Sequence, residues 1–171
     1  MARAPGMGLG ACGGGAMTSD DPDWLARAST SVKAMYGYWK SKCRDGRLPR
    51  RADIDPLDFP RLLPYVTLVE AVADERRYVY RLVGTKEVEI RGRDPTGRSV
   101  IDGFFGPSLA DALHCYDTVV RTKRPFYDDE PYITPDKRYS DDESLFLPLS
   151  DDGETVNRIL VYATVTPNPG R

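Results

Sequence analysis

Proline and glycine are spaced along this chain so that only two stretches can become long helices. Pro49, Pro56, Pro60 and Pro64 fall between Arg47 and Pro64. At that density, missing amide hydrogens and ring clashes leave room for short turns and for no continuous helix. Gly84, Gly92, Gly97, Gly103 and Gly106 break up the next stretch, predicting short helices and turns there. Every longer element must therefore lie before, between or after these two punctuated segments.

Before them, Trp24, Ala28, Val32, Met35, Tyr36, Trp39 and Cys43 recur in steps of three and four. That spacing predicts one amphipathic helix from Trp24 to Cys43, within an N-terminal helical segment of 23–46, with Asp20, Asp21 or Asp23 available as its cap and Gly46 beyond its end. Between them, Val66–Val72 and Tyr78–Val83 read as strands joined by a turn at Ala73–Arg76. Strict alternation would put Tyr78, Tyr80 and Leu82 on one face. After them, Leu109, Ala112, Leu113, Tyr116, Val119 and Val120 mark a helix from about Ser108 to Lys123, with Pro107 and Pro125 at its ends. Three strands follow, near Phe126–Ile133, Ser144–Leu149 and Val156–Thr166, the last two joined by a turn at Asp151–Glu154. This order predicts an α+β domain: one five-stranded antiparallel sheet with helices on one face, enclosing a small interior volume.

Composition narrows the function. Lys plus Arg number 24 against 26 Asp plus Glu, a net charge of -2, which lacks the positive excess of a phosphate-binding surface and points away from nucleic acid. No apolar run reaches the length of a membrane span. Cys12, Cys43 and Cys115 are odd in number and widely spaced, a pattern that suits a reducing cytoplasm better than a disulfide framework or a zinc site. Residues 1–22 are Gly-rich and read as a disordered tail, with Met7 and Met17 as further possible starts. Residues 168–171 read as a flexible end.

Several segments carry a family resemblance. Tyr38-Trp39-Lys40-Ser41-Lys42, Gly46-Arg47-Leu48-Pro49, Asp53-Ile54-Asp55-Pro56 and Leu62-Leu63-Pro64 are the first of them. Tyr80-Arg81-Leu82-Val83-Gly84-Thr85 and Gly92-Arg93-Asp94-Pro95-Thr96-Gly97-Arg98 come next, and Leu147-Pro148-Leu149-Ser150-Asp151-Asp152-Gly153-Glu154-Thr155-Val156 is the last. In this collinear order, spanning about Trp24 to Val165, the chain resembles a family of short, stand-alone PAS-like proteins of alphaproteobacteria. The resemblance implies a PAS fold over 47–167, preceded by an N-terminal helix that often mediates dimerisation. It implies sensing of a ligand, redox state or light, or protein binding, and transfers no particular cofactor.

Several residues suit either a site or a plainer role. Tyr80, Leu82, Phe105, Leu113, Tyr116, Phe146 and Tyr162 fall at inward positions and form the expected ligand pocket; the alternative is that they simply fill the core. Trp24, Met35, Tyr36 and Trp39 make the N-terminal stripe large for a small domain. One side of it can cover the sheet, and any part left exposed would anchor a second copy or a partner. His114, the single histidine, lies on the polar side of its helix with Asp111, Asp117 and Arg121, where surface hydrogen bonding is the plainer role. Cys115 lacks the Asn-Cys-Arg setting of flavin-type PAS photosensors and reads as a packed thiol. The Gly- and Arg-rich stretch Thr85–Arg98 matches no phosphate-loop spacing, so its arginines are expected to pair with Glu87, Asp94 or Asp102, and Arg81 to brace a loop carboxylate. The acid runs at 128–130 and 141–143 read as solvated ends.

The expectation that follows is a soluble, non-enzymatic sensory or regulatory module in signal transduction. It would bind a small ligand, a protein partner or both, as a homodimer. The rivals are a small enzyme using pocket carboxylates and His114, and an adaptor with a filled core and no ligand.

Overall fold

The computed structural model describes residues 21–169. Of the two expected tails, only Asp21 and Pro22 at one end and Asn168 and Pro169 at the other lie within the described residues.

The N-terminal helix is shorter than expected. A single 3-10 turn spans Asp23–Ala26, and helix α1 (Thr30–Lys42) begins only after Ser29. Ser29 is extended, and its hydroxyl accepts from the Val32 N–H at 3.4 Å. The cap is thus Ser29 and none of the aspartates upstream. Glu143, reaching from the sheet, accepts the Ser29 N–H at 2.8 Å. Two oxygens meet the open amides of the first turn, and the helix starts where both are available.

The proline stretch forms the short turns its composition allows, at Arg51–Asp53, Pro56–Asp58 and Leu63–Tyr65. Strands β1 (Val66–Ala71) and β2 (Tyr78–Val83) then make a hairpin, followed by short helices α2 (Thr85–Arg91) and α3 (Val100–Gly103). Helix α4 (Leu109–Thr122) is capped by Ser108, whose hydroxyl accepts from Asp111 N–H at 3.1 Å. Strands β3 (Phe126–Asp128), β4 (Tyr132–Ile133), β5 (Tyr139–Leu149) and β6 (Arg158–Pro167) complete one antiparallel sheet. Its order is β2-β1-β6-β5-β3, with β4 also on β5.

The sheet therefore has six strands where five were expected. The segment read as one strand over 126–133 is two, each paired with a different part of β5. Between them the Asp128 carboxylate accepts the Glu130 N–H at 3.0 Å, a local turn that competes with the ladder. Pro131 has no amide to donate to it.

A second correction concerns the faces. Helices were expected on one side; they cover both. Helix α1 packs against β5 and β6 on one face, where the indole N–H of Trp39 donates to Pro148 O at 2.9 Å in a buried contact. Trp24 stacks on Tyr127 at 4.8 Å between ring centroids, holding the turn before α1 against β3. Helices α2, α3 and α4 lie across the opposite face; there Tyr116 of α4 meets Tyr78 of β2 at 5.1 Å and Phe146 of β5 at 5.4 Å.

A third correction follows from one residue. Along β1 the steps run Leu68, Val69, but their partners on β2 are Leu82 and Tyr80. Arg81 is the extra residue of a bulge, and it flips the alternation. Tyr80 faces α4 with Val69, whereas Leu82 faces the α1 side with Leu68. The Arg81 side chain pairs with Glu70 on the neighbouring strand, where a loop carboxylate had been expected.

Two glycines sit in opposite circumstances. A Cβ on Gly84 would lie 2.2 Å from the Pro64 carbonyl oxygen, so backbone would have to move. Gly37, exposed within α1, has nothing within 4 Å of that position. Urea unfolding should accordingly show Gly84→Ala losing about 1–3 kcal/mol and Gly37→Ala gaining about 0.5–1 kcal/mol. Equal responses would contradict the close approach of Pro64.

Candidate functional site

Three short or medium helices, broken by glycine, cannot tile a sheet as closely as one long helix. Gly92, in a left-handed conformation (φ 69°), stops α2 after seven residues. The chain then turns through Gly97 (φ 86°) before α3 starts. Between these helices and the sheet lies a cavity of about 130 Å³. On the opposite face a gap of about 20 Å³ is lined by Ile54, Phe59, Leu63, Leu82 and Leu160 among others.

The large cavity is walled by Tyr65, Thr67, Tyr80, Glu87, Arg91, Phe104, Phe105, Ala112, Tyr116, Ser144, Phe146, Val161 and Ala163. Of the seven residues that the sequence suggested for a pocket, Tyr80, Phe105, Tyr116 and Phe146 come together here. Leu113 is half-buried on α4 and is not part of the wall. Leu82 is on the α1 face because of the Arg81 bulge. Tyr162 is there too: it pairs with Val66 and Leu145 in the ladder, and its hydroxyl meets the Ser31 side chain of α1.

What sequence reasoning missed is the polar part of the wall. Glu87 and Arg91 stand one turn apart on α2, with 3.7 Å between the Arg91 Nη2 and the Glu87 carboxylate, and with side chains only 10% and 13% exposed. The i, i+4 spacing was visible; that this turn of α2 faces inward was not. Arg91 also stands over the Tyr80 ring at 5.3 Å from its centroid and donates to the Tyr80 hydroxyl at 3.4 Å. Burial works against the guanidinium charge, but the Tyr80 hydroxyl and the Glu87 carboxylate outweigh it and hold its pKa above the ordinary value. Burial pushes the pKa of the Tyr116 hydroxyl well up, which favours the neutral phenol. The site thus joins an aromatic cage to one buried ion pair, an arrangement suited to holding a small molecule.

The other sequence candidates lie elsewhere. Met35, Tyr36 and Trp39 are buried at 0%, 8% and 2% exposure, and Trp24 is half-buried against Tyr36 and Tyr127. Met35, Tyr36 and Trp39 are thus taken up by packing inside the molecule, and Trp24 is left partly exposed. His114 is exposed, 3.5 Å from the Thr118 hydroxyl, and outside the cavity. In the Gly- and Arg-rich stretch, Arg91 pairs with Glu87 as expected, but Asp94 and Asp102 accept from Thr96 and Ser99. In the first acid run, Asp129 pairs with Arg27 at 2.6 Å; the side chains of Asp141 and Asp142 in the second lie outside the described residues. Among the described residues no group of three His, Cys, Asp or Glu side chains is placed to hold a metal ion, and no helix is long and apolar enough to cross a membrane.

Cys115 does not line the cavity either, and burial pushes its thiol up to about 12. At pH 8 that leaves about one thiolate in ten thousand. Iodoacetamide at pH 8 should therefore modify Cys115 only after unfolding; rapid labelling of the folded protein, read by peptide mass mapping, would show the thiol to be accessible.

Comparison with known proteins gives three results. A sequence model of the PAS domain matches residues 27–163, from just before α1 to β6. No curated protein matches. Among solved structures, a LOV protein of Rhodobacter sphaeroides aligns with a TM-score of 0.45 at 12% identity, over 62% of this chain and 62% of that one. A LOV domain from a blue-light activated histidine kinase of Erythrobacter litoralis gives 0.44 at 13% identity, over 60% and 94%. A sensory box sensor histidine kinase of Vibrio cholerae gives 0.45 at 19% identity, over 64% and 90%.

Proposed function

The chain belongs to the PAS domain family, and from that membership we propose that it is a sensory and regulatory module of signal transduction whose input is occupancy of the cavity under α2, α3 and α4. The observation that carries this reading is the cavity itself: about 130 Å³ of space between sheet and helices, walled by aromatic rings and one buried ion pair. Concave, partly open space lined by aromatic side chains and a few polar groups is where small molecules bind. Binding, as opposed to turnover, fits the chemistry. The ionisable wall residues Glu87 and Arg91 neutralise one another, and His114 is on the outside, away from any enclosed substrate.

Output passes to a protein partner in a signalling pathway. That partner, or a second copy of the chain, meets the molecule somewhere other than the buried Met35, Tyr36 and Trp39. A finer placement among short PAS-like proteins of alphaproteobacteria, working in the cytoplasm, is supported by the collinear motifs and the odd, widely spaced cysteines.

Native mass spectrometry of protein purified without denaturant should show an adduct of small-molecule mass that disappears on unfolding. Ala112→Leu, which puts three more carbons into the cavity wall, should lose that adduct while unfolding as cooperatively as the parent. A bare chain mass in both proteins, together with no stabilisation of the parent by any small ring compound, would leave the adaptor with a filled core as the better description.

A further inference from the structure

Resting on the reading that this cavity takes a ligand, we infer that the ligand is an uncharged, elongated molecule with a hydrogen-bonding group at each end and an apolar middle. Thr67 and Tyr116 read one end and Ser144 reads the other. The floor of the cavity is the sheet. One row across it runs from Thr67 on β1 through Val161 on β6 to Phe146 on β5, each paired with the next in the ladder. The neighbouring row pairs Ala163 with Ser144. All five side chains line the cavity. The middle strand thus offers only Val161 and Ala163, with one hydroxyl on the β1 side and another on the β5 side. Strands lie about 4.8 Å apart and every second residue of a strand about 6.7 Å, so Thr67 and Ser144 are roughly 12 Å apart along the diagonal of the floor.

The hydroxyls at the two ends are unmet. Thr67 and Tyr116 are buried, at 4% and 6% exposure. Neither hydroxyl makes a hydrogen bond among the described residues, nor does that of Ser144. Each of the three oxygens is nevertheless open to the cavity. Tyr116 reaches in from α4 with its ring edge-on to Phe146 at 5.4 Å, and its hydroxyl lies near enough to Tyr80 and Arg91 for both to act on it. Tyr80 belongs to β2, the neighbour of β1, which puts the Tyr116 oxygen at the Thr67 end. A buried hydroxyl without a partner is costly, and a polar group on a guest recovers that cost. Between the ends, Val161, Ala163, Phe104 and Phe105 offer only apolar surface. A hydrogen bond of about 2.8 Å at each end leaves roughly 7–10 Å between the polar atoms of the guest. The hydroxyls bring no charge, and Glu87 and Arg91 in the same wall oppose one another at 3.7 Å. A charged guest would therefore be desolvated without a counter-charge of its own.

The test titrates 2,6-dihydroxynaphthalene, 2-naphthol and naphthalene-2,6-dicarboxylate into the full chain at neutral pH, following binding by the fluorescence of the ring system. We expect the diol to bind about fivefold tighter than 2-naphthol, the worth of one further hydrogen bond, and the dicarboxylate no tighter than 2-naphthol. Ser144→Ala should bring the diol and 2-naphthol level, and so should Thr67→Val combined with Tyr116→Phe. If the double variant fails to fold, Ser144→Ala decides alone. Equal binding of the diol and 2-naphthol by the parent overturns the two-ended guest, and a difference that survives Ser144→Ala overturns the role of Ser144. The dicarboxylate as the tightest ligand overturns the uncharged guest in favour of an acid. If none of the three binds while the purified protein carries an adduct, the two-ended guest falls and the cavity remains a binding site. If none binds and there is no adduct, the ligand-binding reading itself falls.

Discussion

Strands β5 and β6 are apolar on both sides, and both sides have to be covered. Leu145 through Leu149 and Ile159 through Ala163 are buried residue after residue, with no polar partner in alternation. A strand of that kind cannot face water on either side. One layer of helices satisfies half of the demand, so a second must come from elsewhere in the chain, and the N-terminal segment is what remains. This is why the large stripe of α1 is consumed inside the molecule. Val32, Met35, Tyr36 and Trp39 lie in one core with Leu145, Leu147 and Leu160, and the indole of Trp39 satisfies the Pro148 carbonyl.

Much of this was legible in the sequence. The two punctuated segments, the α4 stripe with its flanking prolines, and the order of helices and strands all follow from local chemistry. The departures lie where a distant partner decides. The start of α1 depends on Glu143, more than a hundred residues away, accepting the Ser29 amide; no reading of residues 20–30 alone finds that. The facing of Leu82 depends on a bulge, and period-two alternation carries no sign of an inserted residue until the partner strand is known. The two-sided burial, by contrast, had a signal: Leu-Phe-Leu-Pro-Leu and Ile-Leu-Val-Tyr-Ala are continuous apolar runs, which mark strands covered twice.

The candidate site divides in the same way. Its aromatic members are large apolar residues at inward positions, visible to pattern reasoning. Glu87 and Arg91 look like an ordinary exposed i, i+4 pair in Thr-Lys-Glu-Val-Glu-Ile-Arg. Lys86 and Glu89 from the same short helix do make an exposed pair, at 2.9 Å. Which of two charged pairs points inward is settled by how α2 is set against β1 and its preceding turn. Gly84 governs that, because its lack of a side chain lets the backbone close on Pro64.

The two faces of the sheet then explain each other. A thirteen-residue helix lays an unbroken stripe on one face, while three helices interrupted by glycine leave about 130 Å³ on the other. The same strands serve both faces. Along β5 and β6, Ser144, Phe146, Val161 and Ala163 face the cavity, and Leu145, Leu147 and Tyr162, which alternate with them, face α1. A strand cannot move one set of side chains without the other. A guest that favours one placement of β5 and β6 over another therefore acts on α1 by the difference in its affinity for the two, and by no more than that difference.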